Sequence, residues 1–131
     1  MEKISIKTHS RSEFIDITQA VSEIVQKSET KEGMCYVYIP HTTAGVTINE
    51  NADPSVRKDI LNKLDNIVPW NGNYTHGEGN SAAHIKSTLV GSSVSIPISE
   101  GRLIRGTWQG IYFCEFDGPR HREVFIQIIK G

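Results

Sequence analysis

The sequence predicts an α+β fold, mainly an antiparallel two-sheet β-sandwich of about seven strands with about three flanking helices, in one domain over residues 1–131. Three observations carry this reading. Short runs rich in β-branched and aromatic residues recur along the chain, punctuated by turn residues. Two of the runs, Met34 to Pro40 and Ile111 to Phe116, are apolar on both faces, and the first reads as a central strand. Between such runs lie segments whose apolar residues fall at helical spacing behind good N-cap residues.

The elements follow in order. Ile4 and Ile6 alternate with polar neighbours and mark a first strand, and Phe14, Ile15 and Ile17 mark a second. Thr18 is read as the cap of a helix whose Val21, Ile24 and Val25 share one face, with Gly33 closing the connection that follows. The run Met34 to Pro40 leads directly into His41-Thr-Thr-Ala-Gly45. If the extended conformation persists, His41 continues the Cys35, Val37, Ile39 face, either as a hydrogen-bonded imidazole at the core edge or as a ligand. A short strand from Gly45 to Ile48 leads to Asn49-Glu-Asn-Ala-Asp53. Asp53 before Pro54 is a strong helix start, and Val56, Ile60, Leu61 and Leu64 supply that helix's apolar stripe.

Pro69 to Tyr74 is turn-rich. Asn80 is expected to cap a helix from Ser81 to about Leu89. Val94, Ile96 and Ile98 alternate with serines and Pro97 in a half-exposed strand, which the proline assigns to an edge or an unpaired position. Glu100-Gly101 turns the chain into Arg102 to Arg105, and Gly106-Thr-Trp-Gln-Gly110 interrupts the strand signal before Ile111. Asp117-Gly-Pro-Arg120 reads as hairpin punctuation, and Val124 to Ile129 as the closing strand.

Composition bounds the function classes. With 37% hydrophobic and 22% charged residues the chain is ordinary for a globular protein rather than a disordered one. A net charge of −1 without a basic block argues against a nucleic-acid partner. No apolar run approaches the ~20 residues of a membrane span, and the N-terminus carries no signal-peptide core, so a cytoplasmic location and no membrane partner are expected. Cys35 and Cys114 lie in apolar runs and read as buried free thiols; pairing them in a disulfide is the alternative.

Two constellations carry chemistry. The stretch His76-Gly-Glu-Gly-Asn-Ser-Ala-Ala-His84 packs two imidazoles, Glu78 and Asn80 into nine residues at a helix start, where a metal or an anion can be held. With His41 it supplies three imidazoles, a donor set that leaves an open position and suits zinc-like ions better than magnesium. In Glu115-Phe-Asp-Gly-Pro-Arg120, a carboxylate sits on an otherwise apolar strand face beside an arginine that can bind carboxylate or phosphate bidentately. That pair reads as an internal salt bridge or as part of an anion site. Trp108-Gln109 between two glycines offers an aromatic platform with a polar tip, or a core tryptophan.

These five stretches occur in an order and at spacings that resemble the YjbQ-like family of small single-domain proteins, some of them described as secondary thiamine-phosphate synthases. The resemblance covers essentially the whole chain. It implies a two-sheet sandwich assembled as a homotrimer, with a site built from the polar motifs, including between subunits. It further implies His41, His76 and His84 as metal ligands; Asn49, Asn51, Asp53, Asn80, Trp108, Gln109 and Arg120 as substrate-binding residues; and Glu50, Glu78 and Glu115 as catalytic or orienting carboxylates. The expected function is a metal- and phosphate-handling enzyme that joins a pyrimidine diphosphate to a thiazole phosphate and releases pyrophosphate. The alternatives are a metal-dependent hydrolase of a small metabolite and a non-catalytic trimeric metal- or metabolite-binding protein.

Overall fold

Alternation of apolar side chains along eight strands and amphipathic spacing along three helices produce the architecture seen in the computed structural model, which describes all 131 residues, Met1–Gly131. The elements are β1 (Glu2–Lys7), β2 (Glu13–Asp16), α1 (Thr18–Lys27), β3 (Gly33–Tyr38), β4 (Ala44–Glu50), α2 (Pro54–Ile67), α3 (Ser81–Val90), β5 (Ser93–Ser99), β6 (Arg102–Leu103), β7 (Gln109–Glu115) and β8 (His121–Lys130). Five strands form one sheet in the order β1-β8-β3-β5-β6, and three form the other in the order β2-β7-β4. Every pairing is antiparallel. The α+β two-sheet sandwich expected from sequence is therefore the fold.

The inner faces of the two sheets meet in one core. Cys35, Val37, Ile96, Ile98, Val124 and Ile126 come from the five-stranded sheet, and Ala44, Val46, Ile111 and Phe113 from the three-stranded one. Helix α1 inserts Val21 and Val25 into the same core, as the apolar face of its sequence requires. A second, smaller core lies on the other side of β7, where Tyr112, Cys114 and Phe116 are covered by Ala83 of α3, with Leu64 of α2 and Trp70 packed against them. The continuous apolar run of β7 is thus buried on both faces.

The equivalent expectation for Met34 to Pro40 holds for one face only. Cys35 and Val37 are inside, whereas Tyr36 is 43% and Tyr38 is 49% exposed. With Ile129 and the Tyr38–Phe125 ring pair (centroids 6.4 Å apart), they leave an apolar, aromatic outer face on the larger sheet.

Local capping departs from expectation in two places. Thr18 is the first residue of α1 and Ile17 holds the N-cap position without a side-chain cap bond, while Asp16, one residue earlier, accepts the Thr18 N–H at 2.9 Å. The Thr18 hydroxyl instead accepts the Ile111 N–H at 2.8 Å, tying α1 to β7. Asn80 holds the N-cap position of α3 without a side-chain cap bond. Asp53 caps as expected, accepting the Ser55 N–H at 2.9 Å with Pro54 in the first turn. Of Arg102 to Arg105 only two residues join the sheet, after a tight turn in which Glu100 and Gly101 both have positive φ (53° and 77°). Pro97 accordingly lies near the sheet edge, since only this two-residue strand stands beyond β5. Asp117 to Arg120 does not close a hairpin, because β7 and β8 belong to different sheets; it is a crossover between the layers. Both cysteines are free and fully buried, and burial pushes the Cys35 thiol up to about 11 and the Cys114 thiol higher still. No helix is long and apolar enough to cross a membrane.

Candidate functional site

The crossover after β7 is where two of the sequence motifs meet. The Asp117 carboxylate accepts from the Asn80 side-chain amide at 2.9 Å and from the Arg120 guanidinium at 3.0 Å, both through Oδ2. Arg120 is further fixed by a 2.8 Å bond from its Nε to the Asp117 carbonyl, yet its side chain stays 51% exposed. Asn80 and the α3 start are thereby joined to the loop carrying Arg120. The amide's commitment to Asp117 also explains why Asn80 does not cap its own helix. Asn80 Oδ1 is left buried without a partner. A buried acceptor of this kind costs roughly 1–3 kcal/mol unless something donates to it.

Glu115 is paired, as its position on an apolar strand demands, but with Arg122 rather than Arg120. Arg122 Nε donates to Oε1 at 2.9 Å and Nη2 to Oε2. The Thr8 hydroxyl (2.8 Å) and the backbone N–H groups of Phe116 (3.1 Å) and Asp117 (3.0 Å) also donate to the carboxylate, while Arg122 reaches the Thr43 hydroxyl at 2.8 Å. Burial pushes the Glu115 carboxyl up, but the Arg122, Asp117 and Thr8 bonds outweigh it and leave the group below its ordinary value. With the side chain 0% exposed and both oxygens occupied, Glu115 is a structural ion-pair member and not an available acid or base.

The three histidines are distributed over one end of the molecule. His76 and His84 approach edge to face with ring centroids 5.6 Å apart. His84 and His41 line a common open cavity of about 390 Å³ together with Ser87 and Thr88. The Ser87 hydroxyl, like Asn80 Oδ1, is buried without a partner. His41 leaves the strand direction and accepts the Glu123 N–H at its Nε2, 2.9 Å away. Desolvation, then the nearby Arg122 charge, lowers its pKa. A neutral imidazole accepting at Nε2 carries its proton on Nδ1, so its lone pair is already used. Within one chain no group of three or more His, Cys, Asp or Glu side chains is gathered in a metal-holding cluster. Glu78 lies exposed on the loop between the two paired histidines.

The remaining candidates sit elsewhere. Asn49 and Glu50 face Gly110 and Gln109 at the far end of the β4–β7 pair, whereas Ala44 faces Glu115 at the near end. Six residue steps separate the two ends, roughly 20 Å of strand. Asn51 N donates to the Trp108 carbonyl at 2.9 Å, and the Asn51 side chain lies so close over Gly110 that a Cβ there would come within 2.8 Å of it. Trp108 is 62% exposed and is not core. Gln109 folds back to accept the Gly106 N–H at 2.7 Å, and Asp53 caps α2 next to this group. The motifs therefore form two clusters, one at each end of the smaller sheet.

Sequence reasoning offers Glu115 and Asp117 as partners for Arg120, of which the structure selects Asp117, but it passes over Arg122. Arg122 was legible: carrying the alternation of β8 back from Ile126 through Val124 places residue 122 on the inner face, the one place an arginine needs a partner.

Comparison with known proteins agrees with this fold. The profile of the UPF0047 protein YjbQ-like family matches residues 2–131. The UPF0047 protein MJ1081 of Methanocaldococcus jannaschii is 56% identical over 127 residues, covering 97% of this chain and 92% of that protein. YugU of Bacillus subtilis is 52% identical over 130 residues, covering 98% of both. The crystal structure of a Clostridium acetobutylicum member superposes with a TM-score of 0.97 at 56% identity, covering 98% of this chain and 100% of that one. A YbjQ-like protein of Sulfolobus solfataricus superposes with a TM-score of 0.96 at 34% identity, covering 99% and 96%. The chain belongs to the YjbQ-like UPF0047 family.

Proposed function

We propose that the protein is a metal- and phosphate-handling enzyme of the secondary thiamine-phosphate synthase kind, working as a homotrimer whose site is completed across subunit boundaries. One observation carries this reading: the polar motifs stand in two clusters at opposite ends of the β4–β7 pair, each too sparse to work alone. Association of copies brings one cluster against the other. The aromatic outer face of the larger sheet, with Tyr36, Tyr38 and Ile129 exposed, supports association.

The donor set fits a metal in part. His76 and His84 present two imidazoles at a separation suited to a shared zinc-like ion, whereas His41 has its lone pair engaged with Glu123. When bound, such an ion supplies positive charge beside the departing diphosphate. In the reaction a thiazole nitrogen attacks the pyrimidine methylene carbon, the carbon–oxygen bond to the diphosphate breaks, and pyrophosphate leaves with the electron pair. Arg120 holds phosphate oxygens bidentately at the mouth of the Asn80–Asp117 junction. Asn80 Oδ1 and the Ser87 hydroxyl accept from or orient polar hydrogens of the bound molecule. Trp108 and Asn51 of the distal cluster close the site from a neighbouring copy.

The test is pyrophosphate release from a pyrimidine diphosphate and a thiazole phosphate with zinc or magnesium added, run beside sedimentation of the same sample. Turnover by a trimer that falls at least tenfold in Arg120→Lys is the expected result. A stable monomer at micromolar concentration rejects the shared site. A trimer without turnover that binds the metal and phosphate rejects the enzyme and leaves the binding protein.

A further inference from the structure

Lys86 is the most deeply buried cation in the molecule, at 2% exposure, and the site above makes no use of it. It lies two residues beyond His84 on α3, and residues so spaced point to different flanks of a helix. His84 faces the cavity it shares with His41, while Lys86 opens on a separate cavity of about 620 Å³. The lining includes Ser10, Arg11 and Ser12 from the loop between β1 and β2, Trp70 from the loop between α2 and α3, and Asp65 near the end of α2.

The charges in this cavity are arranged unequally. Lys86 is fixed by burial and donates to Asp65, its sole side-chain partner, although an ammonium has three donors. Asp65 is 57% exposed and belongs to a helix without a single buried residue. Arg11 is fixed by stacking, with its guanidinium carbon 4.2 Å from the centre of the Trp70 ring. The loop between them is held by Glu13, whose carboxylate accepts the His9 and Ser10 N–H groups, leaving the Ser10 and Ser12 hydroxyls for other partners. One buried cation, one ring-stacked cation and two serines therefore share this lining with one exposed carboxylate. A surface ion pair would not require the lysine stem to be threaded through the protein, and burying an ammonium is costly unless its charge is used.

We propose that this cavity binds a phosphate group, with Lys86 and Arg11 as its cationic contacts and with Asp65 as the carboxylate that the phosphate displaces. Phosphate fits better than carboxylate because its three or four oxygens can use both cations and both hydroxyls at once. The site is independent of the Arg120 region and of the synthase reading.

The experiment is titration of the full-length protein with inorganic phosphate and pyrophosphate, followed by the emission of Trp70 in a Trp108→Phe background. Phosphate is expected to change that emission. Asp65→Asn, which releases the lysine, should tighten binding severalfold, while Lys86→Met and Arg11→Gln should each weaken it tenfold or more. Asp65→Asn lowers the melting temperature under either reading, since it strands a buried ammonium, but a purely structural Lys86–Asp65 clasp predicts no gain in phosphate affinity. That outcome overturns the proposal, as does binding that leaves Trp70 unchanged and is lost in Arg120→Lys. If Lys86→Met fails to fold, the Asp65→Asn and Arg11→Gln variants, both at exposed positions, decide between the two readings.

Discussion

Two arginine–carboxylate pairs lie within eight residues of each other and behave as opposites. Glu115–Arg122 spans the two sheets with side chains 0% and 5% exposed, and the carboxylate also receives a hydroxyl and two backbone N–H groups. Asp117–Arg120 bridges a single loop with side chains 14% and 51% exposed, and its arginine is open to solvent. A buried pair with every lone pair occupied serves the scaffold, because removing either partner strands a charge. An exposed pair adds little to stability, and a ligand can replace one partner. The inner pair therefore serves the architecture, and the outer pair is the one the proposed function uses.

Breaking the inner pair should have the largest effect. Arg122→Met leaves Glu115 ionised and buried, and should cost about 3–5 kcal/mol, seen as a fall in melting temperature of roughly 10 °C or more. Adding Glu115→Gln should restore much of that loss in a double-mutant cycle, since the uncompensated charge is gone. The native pair also has a pH signature. Because the Glu115 pKa is lowered in the folded state, its contribution is present above the ordinary carboxylate value and is lost as pH falls through the lowered one. The acid limb of the stability curve should flatten in the double variant.

Next in size is the outer pair. Arg120→Lys should leave the melting temperature within about 2 °C, as expected for an exposed pair, while phosphate or pyrophosphate affinity at this loop drops tenfold or more. An early-melting variant with unchanged binding would reverse the contrast and make Arg120 structural. At the far end of the sheet, Asp53→Ala removes the α2 cap and should lower the melting temperature by a few degrees, with binding at the Asp117 loop intact. Smallest of all is His41→Gln. The depressed His41 pKa means that the folded protein takes up a proton less readily than the unfolded one, so stability is lost as pH falls below about 6.5 toward the lowered value. The substitution should make that decline shallower in thermal melts at about pH 7 and about pH 5.5.

Much of the fold was legible because burial on two faces and on one face leave different patterns. The doubly apolar run at Ile111 to Phe116 marked a strand that the structure buries on both faces, and Asp53-Pro54 marked a helix start that the structure keeps. The similar run at Met34 to Ile39 did mark the central strand of the larger sheet, but only one of its faces is buried, because an apolar outer face looks the same in sequence whether a helix covers it or nothing in the chain does. Partner choice was the other blind spot. Glu115 plainly needed a cation, but Arg120 and Arg122 have the same parity, so alternation cannot choose between them; the choice depends on where β8 begins, and it begins at His121, leaving Arg120 on the loop. The ring pair of His76 and His84 and the Asn80–Asp117 bond depend on how loops fold back on one another, so no local pattern could announce them.

The covering of β7 on both sides has a consequence for how this chain can vary. From Gly110 to Phe116 there is no position that faces water, so the stretch has no site where drift in sequence is free. Strands of the larger sheet do not share this restriction: β5 and β8 alternate, and every second residue can change polarity at little cost. A saturation library would accordingly show one unbroken block of intolerant positions from Gly110 to Phe116, set among strands whose tolerance flickers with every second residue. Gly110 would belong to that block for a different reason from the rest, since any side chain there collides with Asn51. The strand that joins the two cores is thus also the stretch of this chain with the least room for substitution.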